Sequence, residues 1–235
     1  MTGTGLDELL GACIPNDHAE QVGPEYYARR LLDTANAEPR VMDLGCGVGA
    51  SFDLFRSLRR DVDWHGVDIE GSPESASRTR TDAQFHTYDG VHLPFEDQSF
   101  DFIYSKQVFE HVRYPEQLLG EVRRVLRPGG AFFGSVSALE PYHSLSLWSF
   151  TPYGWFQLTT AAGLHVQELR PGIDSIALIR RSYLGRPPEA ATWFRKSPLN
   201  EEMDDWGAAT KRKPKLINLR KLQYCGHLVF WCRKP

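Results

Sequence analysis

From Arg40 onward, short apolar runs rich in β-branched and aromatic residues alternate with stretches whose apolar residues recur at helical spacing. No other feature restricts the fold so much. Strands joined through helices must cross over, which lays them parallel with helices on both faces of one sheet. The strands expected are Arg40–Leu44, Trp64–Ile69, Gln84–Tyr88, Phe100–Ser105, Ala131–Ser137, Leu164–Leu169 and His227–Arg233, which together make an α/β chain with a doubly wound, seven-stranded open sheet. Pro115 suits a first helical position, and Leu118, Val122, Val125 and Leu126 repeat at helical spacing until Arg127-Pro128-Gly129-Gly130 ends the helix. Thr151-Pro152 reads as a cap and a first helical residue, with Gly163 as that helix's end, and a further helix is expected around Glu25–Thr34.

A chain of 235 residues can bury the core of a single domain. The organisation expected over 1–235 is an N-terminal lid with helices at 1–35, its first 22 residues a mobile arm, then a ligand-binding core at 40–170, an insertion at 172–223 covering the substrate site, and the last strand within 224–235. The insertion follows from length, because about 50 residues between two strands far exceed a usual connection. A net charge of −3 gives no global field to draw in a nucleic acid or an anionic membrane, and no apolar stretch is long enough to span a bilayer. The basic run Lys211–Lys215 has no interleaved aromatics and reads as a solvated loop, so a nucleic-acid partner is not expected. Cys13, Cys46, Cys225 and Cys232 form no Cys-x-x-Cys pair and read as free thiols. With no basic segment and apolar run at the start, a cytoplasmic location is the expectation. A homodimer stays open.

The strand ending at Leu44 runs directly into Gly45-Cys46-Gly47-Val48-Gly49-Ala50, followed by Phe52, Phe55 and Leu58 at helical spacing. A glycine turn is thereby set at the carboxyl edge of the sheet, where open α/β sheets bind ligands and where glycine lets the backbone touch them. Gly45, Gly47 and Ala50 also satisfy the dinucleotide fingerprint, so the loop alone admits a nicotinamide oxidoreductase. Asp43 speaks against it, because a carboxylate just before the loop repels a pyrophosphate and suits a ligand carrying an ammonium and a sulfonium. Asp68, at the tip of the second strand, can accept from both hydroxyls of a ribose, which supports a nucleoside and nothing narrower. Taken singly, Asp43 and Asp68 could cap helices, Asp89 could open a turn with Gly90, and Cys46 is a small spacer rather than a nucleophile.

The segment Val41-Met42-Asp43-Leu44-Gly45-Cys46-Gly47-Val48-Gly49 resembles the first motif of the class I, Rossmann-like methyltransferases that use S-adenosylmethionine. Asp89-Gly90-Val91-His92-Leu93-Pro94-Phe95, Ser99-Phe100-Asp101, Phe109-Glu110-His111-Val112 and Val125-Leu126-Arg127-Pro128-Gly129-Gly130 extend the resemblance to the small-molecule type, methyltransferase type 11, over about Arg40 to Ser137. The resemblance implies the strand order 3-2-1-4-5-7-6 with the last strand antiparallel, and S-adenosylmethionine as cofactor with S-adenosylhomocysteine as product. It further implies that Asp43 orients the cofactor's amino group and that Gly45, Cys46 and Gly47 approach its methionine and ribose. Asp68 with Ile69 would then hold the ribose, Asp89 with Gly90 would meet the adenine, and Ser105 with Lys106 would face the transfer centre.

Methyl transfer from a sulfonium is an in-line displacement, so holding acceptor, methyl and sulfur collinear is the main task, and a base is needed only for poorly ionised acceptors. The Asn/Asp-Pro-Pro-Tyr of DNA amino-methyltransferases is absent after the fourth strand, as is the cysteine nucleophile of pyrimidine C5 enzymes. His143, in Glu140-Pro141-Tyr142-His143, and His111 are the candidate bases. Glu110 beside His111 gives only two adjacent donors, so no metal is expected. Trp148, Trp155, Trp193 and Trp206, with Phe150, Tyr153, Phe156 and Phe194, offer faces for a sugar or a planar natural product, or else build the insertion's core. The expectation is a small-molecule methyltransferase, oxygen the preferred acceptor and nitrogen next, with a cofactor-binding relative that has lost catalysis as the other reading.

Overall fold

Hydrogen bonding joins seven strands into one sheet: Arg40–Leu44 (β1), Asp63–Ile69 (β2), Gln84–Tyr88 (β3), Phe100–Lys106 (β4), Leu126–Ser137 (β5), His165–Pro171 (β6) and His227–Arg233 (β7). The computed structural model describes residues 4–235. The strand order is 3-2-1-4-5-7-6, and only β7 runs against its neighbours, which is the sheet the resemblance implied. The helices are Thr4–Leu10 (α1), Glu25–Leu32 (α2), Ala50–Leu58 (α3), Pro73–Ala76 (α4), Pro115–Val125 (α5), Pro152–Ala161 (α6), Ser175–Tyr183 (α7), Pro198–Ala209 (α8) and Pro214–Leu222 (α9).

Successive strand residues point to opposite faces, so one strand feeds two cores. Met42, Ile103 and Phe132 join Leu118, Val122 and Trp155 of α5 and α6 on one face. Their neighbours Val41, Tyr104 and Phe133 join Tyr27, Leu32 and Phe55 of α2 and α3 on the other. Proline opens α5 and α6 as expected, and the Thr151 side chain accepts from the Gly154 amide at 3.0 Å. The Arg-Pro-Gly-Gly segment does not lie beyond α5 as a loose stop. It is already part of β5, and Gly129 and Gly130 exchange backbone hydrogen bonds with Lys234 at 2.9 and 3.0 Å.

The N-terminal stretch expected as a mobile arm is docked, although its first three residues lie outside the described ones. Leu10, Cys13 and Ile14 are buried in the α5–α6 core, and the Val22 amide donates to the Pro171 carbonyl. The reason is a charge that needs a partner: the Arg170 side chain is fully buried, and Asp17 meets its guanidinium at 2.7 and 2.8 Å. The segment 172–223 is helical, and its α9 lies against β6. It is laced to the same N-terminal stretch, Asn218 donating to the carbonyls of Pro15 and His18, and Lys221 to that of Ala19. Of the four tryptophans singled out, Trp155 is a core residue, Trp193 packs on Ile173, Ala177 and Leu178, and Trp206 stacks with Arg212 and Arg220. Trp148 is the exposed one.

Candidate active site

The glycine loop leaves β1 at the carboxyl edge and is fixed by its own amides. Those of Gly45 and Cys46 donate to the Val67 carbonyl at 2.7 and 3.1 Å, and that of Gly47 to Asp68 Oδ2 at 2.7 Å. The Asp68 carboxylate, held by the Ile69 amide at 2.8 Å on its other oxygen, thus latches β2 to the loop. Gly45 has a φ of +74°, and a Cβ there would come within 2.3 Å of Val108 Cγ2, so glycine is required on both counts. Arg78 closes the loop from outside, donating to the Gly47 carbonyl at 2.7 and 3.0 Å.

Asp43 lies beneath this loop, almost fully buried, with Ser51 of α3 donating to one oxygen. Burial pushes its carboxyl up to about 7, the Asp68 charge adding to the effect while Ser51 and Lys106 oppose it. Cys46 is buried, and its thiol is pushed well above the ordinary range by burial and by Asp43, so it is no nucleophile. Ile69 and Val48 stand exposed at the same edge. Asp89 makes a turn, its Oδ1 accepting from the amides of Val91 and His92 at 2.8 and 2.6 Å, with Gly90 at a φ of +92°. The Ser105 hydroxyl is buried without a hydrogen-bond partner among the described residues, whereas the half-exposed Lys106 pairs with Glu25 of α2 at 2.6 Å.

Val108, the residue touching Gly45, leads straight into a second cluster. Glu110 is fully buried, and its Oε1 accepts from the Ser137 hydroxyl at 3.0 Å. Gln107, with its amide nitrogen facing inward, donates to Ser137 Oγ and Glu110 Oε1, both at 2.9 Å. Ser137 also bonds Glu140, which meets His227 Nε2 at 3.1 Å. Burial raises the Glu110 carboxyl; it would raise Glu140 too, but His227, Ser137 and His143 outweigh it and hold Glu140 below its ordinary value. The rings of His111 and His143 stand edge to face at 5.4 Å. The loop carrying His143 is pinned by the amides of Leu147 and Trp148, which donate to the Glu110 carbonyl at 2.6 and 3.1 Å.

The structure therefore brings the two candidate bases together beside Glu110, and sets Asp43, Gly45, Cys46, Gly47, Asp68 and Ile69 around one loop. Gln107 sits at the tip of the fourth strand with Ser105 and Lys106, as expected, whereas Ser137, Glu140 and His227 were missed by sequence reasoning. His227 faces Ser137 only through the antiparallel register of β5 and β7, a pairing no local pattern encodes.

A protein-family profile described as a methyltransferase domain matches residues 42–134. An uncharacterized methyltransferase of Mycolicibacterium gilvum is 37% identical over 132 residues, which are 54% of this chain and 49% of that protein. A demethylmenaquinone methyltransferase of Renibacterium salmoninarum is 31% identical over 120 residues, half of each chain. The chain spans half or less of the length of the first curated relatives it matches. Among solved structures, phosphoethanolamine N-methyltransferase 2 of Haemonchus contortus, in complex with S-adenosyl-L-methionine, shares the fold at a TM-score of 0.58 and 16% identity, covering 100% of this chain and 57% of that one. The profile falls on the glycine loop, on the three carboxylates at the ends of β1, β2 and β3, and on the segment leading to Glu110. Residues 42–134 of this chain thus match a methyltransferase domain, set in a sheet of Rossmann-like strand order.

Proposed function

We propose that this protein transfers a methyl group from S-adenosylmethionine to a small molecule, an oxygen of a sugar, glycan intermediate or secondary metabolite being the acceptor of choice and nitrogen the next. The observation that carries this reading is Asp43: a buried carboxyl beneath the glycine loop whose only side-chain hydrogen-bond donor among the described residues is a serine hydroxyl. It fits a ligand with an ammonium, which would supply the missing counter-charge, and it disfavours the pyrophosphate of a dinucleotide. The cofactor supplies an electrophilic methyl carbon on a sulfonium.

The chain's own residues bind, orient and deprotonate. Asp43 and the backbone of Gly45, Cys46 and Gly47 hold the methionine end; Asp68, whose oxygens each keep a lone pair beyond their backbone donors, and Ile69 hold the ribose; Asp89 and Gly90 border the adenine; Ser105 and Lys106 line the approach to the transferred methyl. The acceptor meets the cluster past Val108, where His143, or His111 beside it, takes the hydroxyl proton. Two imidazoles beside a buried carboxylate favour an acceptor that must give up a proton, a hydroxyl being the first choice. From the insertion at 172–223, the Phe194 ring lies 5.9 Å from His227. Calorimetry with S-adenosylmethionine and with NAD, followed by a mass-shift screen of hydroxylated small molecules with deuterated cofactor, tests the reading. Binding of S-adenosylmethionine and a labelled product support it. Binding of NAD alone, or cofactor binding with no S-adenosylhomocysteine from any acceptor, overturns it.

A further inference from the structure

We infer that Glu110, His111 and His143 form a binding site for one divalent transition-metal ion of the zinc class. Each residue offers one donor atom, and the three donors lie within 4.8 Å of one another. Zinc-type coordination needs ligand distances of about 2.0–2.2 Å, so the two imidazoles, both partly exposed, must move inward by roughly an ångström while the carboxylate stays in place. Two imidazoles and one carboxylate suit zinc and its first-row neighbours rather than magnesium, which takes oxygen ligands.

Three features of the surroundings point the same way. Glu110 has no exposed surface, and its Oε2 finds no hydrogen-bond partner among the described residues while Oε1 is held by Ser137. A buried carboxylate oxygen left in this way is costly unless something charged meets it. His143 Nδ1 lies 3.2 Å from the Pro141 carbonyl; donating its proton there leaves Nε2 with a free lone pair, the arrangement by which an outer partner orients a metal-ligating imidazole. Finally, the hydrogen bonds from Leu147 and Trp148 to the Glu110 carbonyl bring the His143 loop onto the Glu110 segment through the backbone, so the donors are not held together by chance side-chain contact.

Three protein ligands leave a coordination position open, and the cluster adjoins the glycine loop through Val108. An ion there would acidify an acceptor hydroxyl, and the histidines, bases in the ion-free protein, would then serve as its ligands. The hydroxyl proton leaves to solvent, the oxygen bonds to the methyl carbon, and the carbon–sulfur bond breaks with its electron pair going to sulfur. This last step rests on the methyl-transfer reading; the ion's binding does not.

The test is titration of the chelator-treated, untagged protein with zinc by calorimetry, and with cobalt by visible spectroscopy, both without S-adenosylmethionine. One ion per chain at micromolar affinity or tighter is expected, with cobalt bands of a low-coordinate nitrogen and oxygen site. His143→Ala and His111→Ala should each weaken binding at least tenfold, and Glu110→Gln should do the same if it folds. The double variant His111→Ala/His143→Ala should lose the cobalt bands while still binding S-adenosylmethionine. No stoichiometric ion in the wild type, or unchanged binding in the double variant, overturns the site. Cofactor binding without an ion would leave the methyl-transfer reading standing alone, and an ion without cofactor binding would leave the metal site standing alone.

Discussion

At the residue scale, Asp43 carries a pH dependence whose sign follows from its burial. Its carboxyl titrates near 7 when folded against 3.8 for the ordinary group. Its contribution to stability is therefore fully present below about pH 4 and is lost as pH rises through about 7, where the folded protein must hold a buried charge. Relative to the wild type, Asp43→Asn should gain stability in urea steadily between pH 4 and pH 7, by on the order of 2–4 kcal/mol in all, and level off above that. The cofactor's ammonium favours the ionised form, so binding should release a proton and strengthen as pH rises from 5.5 to 7; calorimetry in buffers of different ionisation enthalpy reads this directly. Gly45 gives a second test. Gly45→Ala should destabilise by about 1–3 kcal/mol through its collision with Val108, and adding Val108→Ala should recover part of that loss, the remainder reflecting the positive φ. Asp43, Asp68 and Asp89 were legible because each sits at a strand tip, at a motif spacing written along the chain. Ser51, Val108 and His227 were not, because their contacts depend on how a crossover or a register closes in space.

Among the elements, β1 to β5 were readable because alternating apolar runs and proline-led helices each report their own conformation. The insertion resisted for a physical reason visible in α9. Asn218 and Lys221 are buried there beside Ile217, Leu219 and Leu222, since they serve the carbonyls of the N-terminal stretch, and the apolar stripe that would reveal a helix is broken. The docking of that stretch was hidden likewise, because its anchor is an ion pair between residues 17 and 170. Asp17→Ala leaves the Arg170 guanidinium with Glu168 and the His18 imidazole and should cost about 1–3 kcal/mol in chemical unfolding. It should also open the chain near residue 17 to limited proteolysis, whereas an arm that was mobile from the outset would be cut equally in both proteins.

For the whole molecule, the position of β7 sets an order of events. The strand made last lies between β5 and β6, and it carries Phe230 and Cys232 into the α5–α6 core. A chain stopped after residue 223 should accordingly lack a cooperative thermal transition in calorimetry and should bind a dye for exposed apolar surface. On the ribosome the same geometry means that β5 presents a bare edge, and β6 has no strand partner among the described residues, until residues 227–233 have been synthesised. Translation thus keeps this sheet open to the very end of the strand that closes it. The histidine that completes the Glu140 pair arrives with that strand, so an unfinished polypeptide cannot assemble the candidate acceptor site ahead of the fold.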